Sequence, residues 1–559
     1  MTESSPDRFV ELYDTTLRDG TQGEGVSFSL VDKLKIASLL DAVGFDYIEG
    51  GYPLSNPKDQ SFFEQIRQQA LSHARVCAFG MTRRRSADAA DDPGMQALVE
   101  AHSPVITIVG KTWDLHVDEV LRVEREDNLA MIRDSVAFAK QADHVQQVFY
   151  DAEHFFDGYK ANPEYALQTL RAALEGGADR LVLCDTNGGS LPEWVYETTQ
   201  AVIETLGLEK PTAANPTPVP SVGIHTHNDS GLAVATSLAA VEAGAVQVQG
   251  TINGIGERCG NVDLTTVAAN LELKTGHRCL GPSGLARLTE VSRYVYERAN
   301  LSLPSGQPFV GSSAFAHKGG MHVHAVQRVA HSYEHIEPER VGNERRVLVS
   351  ELSGASNIAA SLGQKFNIEN DKQLQRDVLS RVQHLENQGY QFEAAQASFE
   401  LLLHEALGQK PAFWDLDHYR CVILKRDGLA SSTEAIVKLY VGQALEHHVA
   451  EGDGPVNALD AALRKCLKTH YPQINDVHLT DYKVRVVNPT AESAAKVRVI
   501  GEFAIRPESD DGDGAVQYFS TIGVNENIVD ASWQAISDAF QYHLIETTQP
   551  AAHSSAVAE

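Results

Sequence analysis

Two histidines separated by one residue are the first sign of metal chemistry in this sequence. His225 and His227 follow the run Ser221–Ile224, which predicts a strand, and alternate side chains of a strand point to the same face. Imidazole binds metals readily, and one carboxylate would complete a two-histidine, one-carboxylate set with open positions. We assign Asp19 as that carboxylate. The alternative is that the two histidines reflect packing alone.

A mixed nitrogen and oxygen site of this kind suits Zn²⁺, Mn²⁺ or Mg²⁺, and its open positions could hold a chelating 2-oxo acid. Arg18 directly precedes Asp19. A guanidinium at this place could polarise a bound carbonyl and stabilise a developing alkoxide, with a surface salt bridge as the alternative. We therefore predict that a divalent metal acts together with Arg18 on a carbonyl group.

These residues need a scaffold that brings distant parts of the chain together. From Val10 to about Lys274 a short apolar strand, a polar loop and an amphipathic helix alternate, which predicts a parallel sheet. Eight such units are typical of a TIM (β/α)8 barrel rather than of an open doubly wound sheet. The eight predicted strands are Phe9–Tyr13, Tyr47–Glu49, Val76–Phe79, Val105–Val109, Val145–Tyr150, Leu181–Cys184, Ser221–His225 and Val246–Thr251.

Active sites of TIM barrels lie at the C-terminal ends of the strands. Polar runs follow five of the predicted strands, at Asp14–Gln22, Asp151–His154, Asp185–Gly189, His225–Asp229 and Asn253–Asn261. One end of the barrel is therefore expected to collect the reactive side chains.

The residues after the predicted barrel have a different pattern of apolar and polar residues. We assign residues 1–279 to the barrel, 280–410 to a helical linker region, 411–548 to an α+β domain with antiparallel sheets, and 549–559 to a disordered tail. In the α+β domain the expected strands are Tyr419–Lys425, Ala435–Tyr440, Tyr482–Val487 and Lys496–Ile505, and the expected helices are Val456–Thr469 and Asp530–Ile545.

The composition excludes several classes of function. Lys and Arg total 47 against 75 Asp and Glu, and the net charge of −28 argues against nucleic acid or an anionic membrane as a partner. No apolar run is long enough to span a bilayer, and the polar N terminus lacks the features of a secretory signal. We expect a cytoplasmic protein whose six scattered cysteines are reduced thiols.

Three motifs in the barrel resemble the signature of the family of the 2-isopropylmalate, homocitrate and citramalate synthases. Metal-dependent aldolases and acyl-CoA lyases share the Arg-Asp and His-x-His parts of that signature. The later regions are similar to the synthases alone, so the resemblance covers nearly the whole chain. The matching segments are Asp14–Gly20 (DTTLRDG), His225–Asp229 (HTHND), Gly254–Asn261 (GIGERCGN), His317–Gly320 (HKGG), Tyr333 and Gly452–Ala458 (GDGPVNA).

The resemblance implies a role for each matching residue. Asp19, His225 and His227 would be metal ligands, with Asn261 as a further ligand or close neighbour of the metal. Arg18 would contact the 2-oxo group, Thr186 the substrate carboxylate, and Glu153 would belong to the base machinery. His317 and Tyr333 would reach the site from the linker region of a partner subunit. The alternatives are a solvated polar face for His317, which lies near His322, His324 and His331, and a packed aromatic cluster for Tyr333.

The resemblance also implies the reaction, a Claisen-type condensation of acetyl-CoA with a 2-oxo acid followed by thioester hydrolysis. Tyr47–Pro53 and Ser55–Asp59 resemble the citramalate branch, which uses pyruvate, forms (R)-citramalate and serves isoleucine biosynthesis through 2-oxobutanoate. The nearest alternatives are a 2-isopropylmalate synthase, which uses 2-oxoisovalerate for leucine biosynthesis, and a homocitrate synthase. A metal-dependent aldolase or acyl-CoA lyase, and a catalytically inactive amino-acid sensor, are alternatives from other classes.

The terminal domain resembles the regulatory domain of the same family. This implies a homodimer and an amino-acid effector, which for this branch would be isoleucine. The alternative is a module that serves dimerisation alone.

Overall fold

The structure is a computed structural model that describes residues 8–318, 320–348, 366, 371–428, 430–487, 495–506 and 517–548. The chain forms two compact units. The first runs from the N terminus to Phe315 and includes His335–Arg345, and the second contains Ala316–Glu334 and the chain from Arg346 onward. The boundaries expected after residues 279 and 410 stay a prediction. The tail at 549–559 lies outside the described residues.

The first unit contains a closed barrel of eight parallel strands in chain order, as predicted. The barrel closes where the first strand pairs with the eighth, from Glu11 opposite Gln247 to Asp14 opposite Gly250. The strands are β1 Glu11–Asp14, β2 Tyr47–Gly51, β3 Arg75–Met81, β4 Val105–Lys111, β5 Gln147–Glu153, β6 Arg180–Asp185, β7 Ser221–Thr226 and β8 Gln247–Gly250.

Helices alternate with the strands and bury their apolar faces against the barrel. In the first helix, Leu30–Val43, capping residues define both ends. The Ser29 hydroxyl accepts from the Asp32 backbone and the Asp32 carboxylate accepts from the Ser29 backbone, while Gly44 ends the helix in the left-handed conformation. The helices are α1 Leu30–Val43, α2 Pro57–Ile66, α3 Pro93–Glu100, α4 Arg125–Lys140, α5 Phe155–Ala161, α6 Pro163–Gly176, α7 Pro192–Leu206, α8 Ala233–Ala243 and α9 Leu264–Asn270.

The interior of the barrel combines an aromatic cluster with buried charge. Tyr13, Tyr47 and Phe149 pack on one another inside the barrel and are fully buried. Nearby, the buried Arg180 pairs with Glu11 and donates a hydrogen bond to Ser221. Because breaking a buried ion pair leaves an uncompensated charge, this contact favours a single arrangement of the strands that it joins.

The barrel is followed by α10 Gly281–Leu285 and α11 Leu288–Arg298. The returning segment His335–Arg345 completes this unit. Its Val341 is fully buried in the barrel core, and the Val341 carbonyl accepts a hydrogen bond of 2.8 Å from the Thr289 hydroxyl. Asn343 donates to the backbone carbonyls of Phe309 and Gly311, at 2.8 and 3.0 Å. The segment is thus an integral part of the first unit.

The second unit contains two three-stranded antiparallel sheets, which confirms the predicted α+β domain. Its elements are β9 Ala316–His317, α12 Gly320–Arg328, β10 Arg346–Val347, α13 Lys372–Asn387, α14 Gln396–Ala406, β11 Asp415–Leu424, β12 Ser432–Val441, β13 Ala444–Gly452, α15 Pro455–Leu467, β14 Val477–Val486, β15 Val497–Ile505, β16 Gln517–Asn525 and α16 Ile528–Thr548. Strands β13 and β16 were not predicted. Most of β13 is exposed, so it lacks an apolar alternation, and Ser520, Thr521 and Gly523 interrupt the apolar run of β16. Within the described ranges, no helix combines the length and the apolar character needed to cross a membrane.

Candidate active site

Three predicted metal ligands converge at the C-terminal mouth of the barrel. His225 lies in β7, His227 lies just beyond its end, and Asp19 begins the short helix that follows β1. The Nε2 atom of His225 is 3.3 Å from Asp19 Oδ2 and 3.3 Å from His227 Nε2. All three residues are buried. The His-x-His pattern therefore places two imidazoles and one carboxylate around a common point.

The spacing of these atoms fits a divalent cation. One donor atom from each of the three residues lies within 4.8 Å of the other two. Two ligand atoms that each lie about 2.1 Å from a shared ion, at tetrahedral or octahedral angles, are about 3.0 to 3.4 Å apart. The two distances of 3.3 Å from His225 Nε2 match that range.

Asn261 lies beside the three residues, because the loop after β8 folds back and pairs with His227. Its Nδ2 atom is 2.9 Å from Asp19 Oδ2 and 3.2 Å from His225 Nε2. The Oδ1 atom is buried and has no hydrogen-bond partner among the described residues. Turning the amide by half a rotation would place this oxygen among the other donor atoms, so Asn261 fits as a further ligand.

The local charges favour the metal-binding forms of Asp19 and His227. Burial raises the pKa of Asp19, but Arg18 and His225 outweigh it and hold that pKa well below its usual range. Burial and the neighbouring His225 lower the pKa of His227 to about 4. At neutral pH the site therefore offers a carboxylate and a neutral imidazole, the forms that ligate metal ions.

Arg18 is held in place by its neighbours rather than lying in a surface salt bridge. Its side chain is 14% exposed, and Nε donates to Glu49 Oε1 at 2.5 Å. Nη1 lies 3.4 Å from Asp19 Oδ1, and the guanidinium stacks 3.8 Å above the centre of the Phe79 ring. The arginine is thus fixed beside the metal-binding cluster.

Glu49 is a site residue that the sequence analysis did not identify. It is fully buried in β2 and accepts hydrogen bonds from the Tyr13 hydroxyl at 2.5 Å, from the Thr15 hydroxyl at 2.6 Å and from Arg18. The only sequence signal was a carboxylate in the middle of an apolar strand. Thr15 and Arg18 of the motif after β1 therefore share one buried acceptor, Glu49 Oε1.

Glu153 is the last residue of β5, and Thr186 directly follows the neighbouring strand β6 at the same mouth. Glu153 forms an ion pair with Lys111, which lies directly opposite it in the β4–β5 register. The sequence analysis did not identify Lys111. The Thr186 hydroxyl accepts a hydrogen bond from the His154 backbone at 2.9 Å, so its own proton remains available for an anionic ligand.

Arg258, in the motif after β8, forms hydrogen bonds with the loops that follow β6 and β7. Arg258 donates to both carboxylate oxygens of Asp229, at 2.8 and 3.0 Å, and to the Thr186 carbonyl at 2.6 Å. A side chain at Gly256 would collide with Asn261 Oδ1. The glycine and the arginine of this motif thus shape the mouth around the cluster.

His317 and Tyr333 belong to the second unit. His317 Nε2 lies 3.0 Å from Glu334 Oε1, and both side chains are largely buried. This histidine is not part of a solvated polar face. Tyr333 is 48% exposed and stacks on the His322 ring at 4.3 Å, so it does not belong to a buried aromatic cluster.

Three known families match successive parts of the chain. The HMGL-like family matches residues 9–295, and the homocitrate synthase post-HMGL domain-like family matches residues 309–390. The LeuA allosteric (dimerisation) domain matches residues 393–544.

Curated relatives match along nearly the full length of the chain. An (R)-citramalate synthase of Geobacter sulfurreducens is 50% identical over 538 residues, which are 96% of this chain and 97% of the relative. One of Aquifex aeolicus is 49% identical over 540 residues, 96% of this chain and 98% of the relative. A probable 2-isopropylmalate synthase of Methanopyrus kandleri is 32% identical over 533 residues, 95% of this chain and 97% of the relative.

Proposed function

The chain belongs to the (R)-citramalate synthase family, in which an HMGL-like barrel precedes a LeuA allosteric (dimerisation) domain, and we propose that its barrel mouth condenses acetyl-CoA with pyruvate. The methyl carbon of acetyl-CoA bonds to the keto carbon of pyruvate, and water then cleaves the thioester to release CoA and citramalate. The observation that carries the mechanism is the convergence of Asp19, His225 and His227 beside the fixed Arg18.

The choice of pyruvate over a larger 2-oxo acid rests on the relatives. The (R)-citramalate synthases from five organisms are 44 to 50% identical to this chain, whereas the 2-isopropylmalate synthase is 32% identical. A few methylene groups in an apolar pocket change binding by only about 1 to 3 kcal/mol each, so small changes in the pocket decide the substrate. The names of these relatives support (R) stereochemistry. We further propose that the product serves isoleucine biosynthesis through 2-oxobutanoate, as the resemblance to the citramalate branch implies.

Asp19, His225 and His227 would hold the divalent metal, Mn²⁺, Zn²⁺ or Mg²⁺, with Asn261 as a fourth protein ligand. When bound, the ion supplies Lewis-acid charge at the keto group. Arg18 adds hydrogen-bond donors aimed at the same oxygen, where negative charge develops as the new bond forms. The Thr186 hydroxyl donates to the pyruvate carboxylate.

The second substrate must lose a proton from its methyl group, and a thioester α-proton is only weakly acidic, so a base has to be positioned beside it. Glu153 lies at the mouth in an ion pair with Lys111, and we assign it to this machinery. His317, paired with Glu334, and Tyr333 would complete the machinery from the second unit of a partner subunit. This arrangement would make the homodimer the active form.

Regulation would reside in the second unit. The match to the LeuA allosteric (dimerisation) domain supports a homodimer and an amino-acid effector. For the proposed reaction that effector would be isoleucine, the end product of the pathway.

The test is thiol release from acetyl-CoA by protein reconstituted with Mn²⁺. Pyruvate, 2-oxobutyrate, 2-oxoisovalerate and 2-oxoglutarate are compared at equal concentration, and the condensed acid is identified by mass and chirality. We expect the highest kcat/KM with pyruvate and the formation of (R)-citramalate. A preference for 2-oxoisovalerate would make the protein a 2-isopropylmalate synthase. No thiol release with any of the four acids would favour a lyase or a catalytically inactive sensor.

A further inference from the structure

We propose that Gln249 and Asp151 preset His225 for metal binding by holding the imidazole proton on Nδ1. The Nε2 atom then faces Asp19 and His227 with its lone pair free. Both are positioning residues, because neither lies among the donor atoms of the cluster. The inference rests on the proposed function in one respect, namely that the cluster holds a metal ion.

The three residues form one buried hydrogen-bonded chain across the barrel. His225 in β7 and Gln249 in β8 are paired across the two strands, and His225 Nδ1 lies 3.1 Å from Gln249 Oε1. Gln249 Nε2 lies 3.1 Å from Asp151 Oδ1 in β5. The exposed fractions of His225, Gln249 and Asp151 are 5%, 0% and 3%, so solvent offers little competition for these bonds.

The direction of this chain follows from what each atom can do. The NH₂ group of Gln249 donates to Asp151 Oδ1 at 3.1 Å, and this bond sets the direction of the amide. The carbonyl oxygen of Gln249 then faces His225, and a carbonyl oxygen can only accept. His225 must therefore donate from Nδ1. In the neutral imidazole this leaves Nε2 unprotonated, 3.3 Å from Asp19 Oδ2.

The second histidine of the cluster has no such support. The Nδ1 atom of His227 is buried and finds no hydrogen-bond partner in the described part of the chain. Of the two imidazoles, His225 is therefore the one whose tautomer and ring orientation are fixed before the metal arrives. His225 would define the position of the ion, and His227 would adjust to it.

Metal-binding histidines usually donate their other ring N–H to a protein acceptor, and removal of that acceptor typically weakens metal binding 10- to 100-fold. Here an uncharged amide stands between the imidazole and the carboxylate. Asp151 orients the Gln249 amide, and the amide in turn orients the His225 ring. No negative charge is in direct contact with Nδ1 of that ring.

The test compares two glutamines of the same strand in the full-length protein. Gln249→Met removes both hydrogen bonds while it keeps the volume of the side chain. Gln247→Met is the matched control, since Gln247 is equally buried two residues earlier and its Nε2 atom donates to Glu11 Oε2 at 3.4 Å. The metal-free proteins are titrated with Co²⁺, and the affinity is measured by calorimetry together with the visible absorption of the bound ion. We expect Gln249→Met to bind Co²⁺ 10- to 100-fold more weakly, and Gln247→Met to stay within about twofold of the wild type.

A second pair of variants keeps the test decisive if Gln249→Met folds poorly. Asp151→Asn retains an acceptor for the Gln249 amide and should preserve Co²⁺ affinity, whereas Asp151→Leu removes the acceptor and should lower it. Wild-type affinity in Gln249→Met, or an equal loss in Gln247→Met, would overturn the proposal. Failure of the wild-type protein to bind Co²⁺ would instead overturn the metal centre, and with it the proposed function.

Discussion

Glu49 is a single buried carboxylate on which the orientation of Arg18 depends. It accepts three hydrogen bonds, from Tyr13, Thr15 and Arg18, and one of them comes from a charged donor. A glutamine at this position has only one acceptor oxygen and would turn its NH₂ toward another donor. The reactive arginine would then lose its fixed place beside Asp19.

Glu49→Gln is expected to lower kcat roughly 10- to 100-fold, because a hydrogen bond to a charged group is worth about 1.5 to 3 kcal/mol. Thiol release at saturating pyruvate measures the effect. Metal affinity should change less than kcat, because Glu49 is connected to the proposed ligand Asp19 only indirectly, through Arg18 and Thr15. The exposed Glu64→Gln serves as control, and an unchanged kcat in Glu49→Gln would show that Arg18 needs no such anchor.

The buried carboxyl group of Asp14 leads us to predict that the free energy of unfolding depends on pH. Burial raises the pKa of Asp14 to about 7, although hydrogen bonds from Thr16 oppose the rise. Because the unfolded pKa is about 3.9, the folded state favours the protonated form. Protonation of Asp14 in the folded state therefore adds at most roughly 4 kcal/mol to the free energy of unfolding. This addition is complete below about pH 4 and is lost as the pH rises through about 7.

The variant Asp14→Asn removes this titration. We expect its free energy of unfolding to exceed that of the wild type at pH 8.5 and to approach the wild-type value at pH 5. Urea unfolding of the metal-free proteins at the two pH values measures the difference. Parallel pH profiles for the two proteins would contradict the assignment.

At the scale of elements, the loop from β8 to α9 shapes the proposed metal centre through a glycine. A methyl group at Gly256 would collide with Asn261 Oδ1, whereas Gly189, in the loop after β6, has open space around it. Gly256→Ala should therefore displace the Asn261 amide and weaken Co²⁺ binding about tenfold or more, in line with the loss of a ligand or its support. Gly189→Ala is the control and should bind Co²⁺ normally. Equal Co²⁺ affinity of the two variants would show that Asn261 does not contribute to metal binding.

The strands that could be predicted from sequence are mainly those whose side chains are buried along the whole strand. All eight barrel strands were predicted from the repeated alternation of short strand, polar loop and amphipathic helix, and His225 and His227 were singled out because alternate residues of a strand share one face. Glu49, Lys111 and Gln249 were missed because they lie inside or at the end of strands, where no local pattern marks them. Their partners come from other strands, so closure of the barrel is what gives them a role. Strand β13 was missed because its exposed surface leaves no apolar period.

At the scale of the whole molecule, β11 carries the strongest sign of a partner surface in the second unit. It pairs with β12 along one edge, yet most of its side chains on both faces are exposed, among them Val422, Ile423 and Leu424. Contiguous exposed apolar residues mark interaction surfaces, and an open strand edge invites pairing with another chain. Strand β11 lies within residues 393–544, which match the LeuA allosteric (dimerisation) domain.

Ile423→Glu is expected to weaken self-association at least tenfold, because it would bury a charge in the proposed interface. Light scattering coupled to size-exclusion chromatography over a range of concentrations measures the shift from dimer to monomer. Val31→Glu is a matched control, since Val31 in the first unit is as exposed as Ile423, at 59%. A fully dimeric Ile423→Glu protein would place the interface elsewhere.

The path of the chain has a consequence for how this protein can be shortened or recombined. The chain leaves the first unit after Phe315, returns for His335–Arg345 and leaves again, so the two units are joined by three crossings. A gene truncated after Phe315 would encode a barrel without Val341 in its core and without the Asn343 bonds to Phe309 and Gly311. The first breakpoint that spares the barrel is therefore after Arg345. Every fusion made there carries His317 and Tyr333 along with the barrel, so an exchange of terminal domains between relatives would leave these two residues with their original catalytic half.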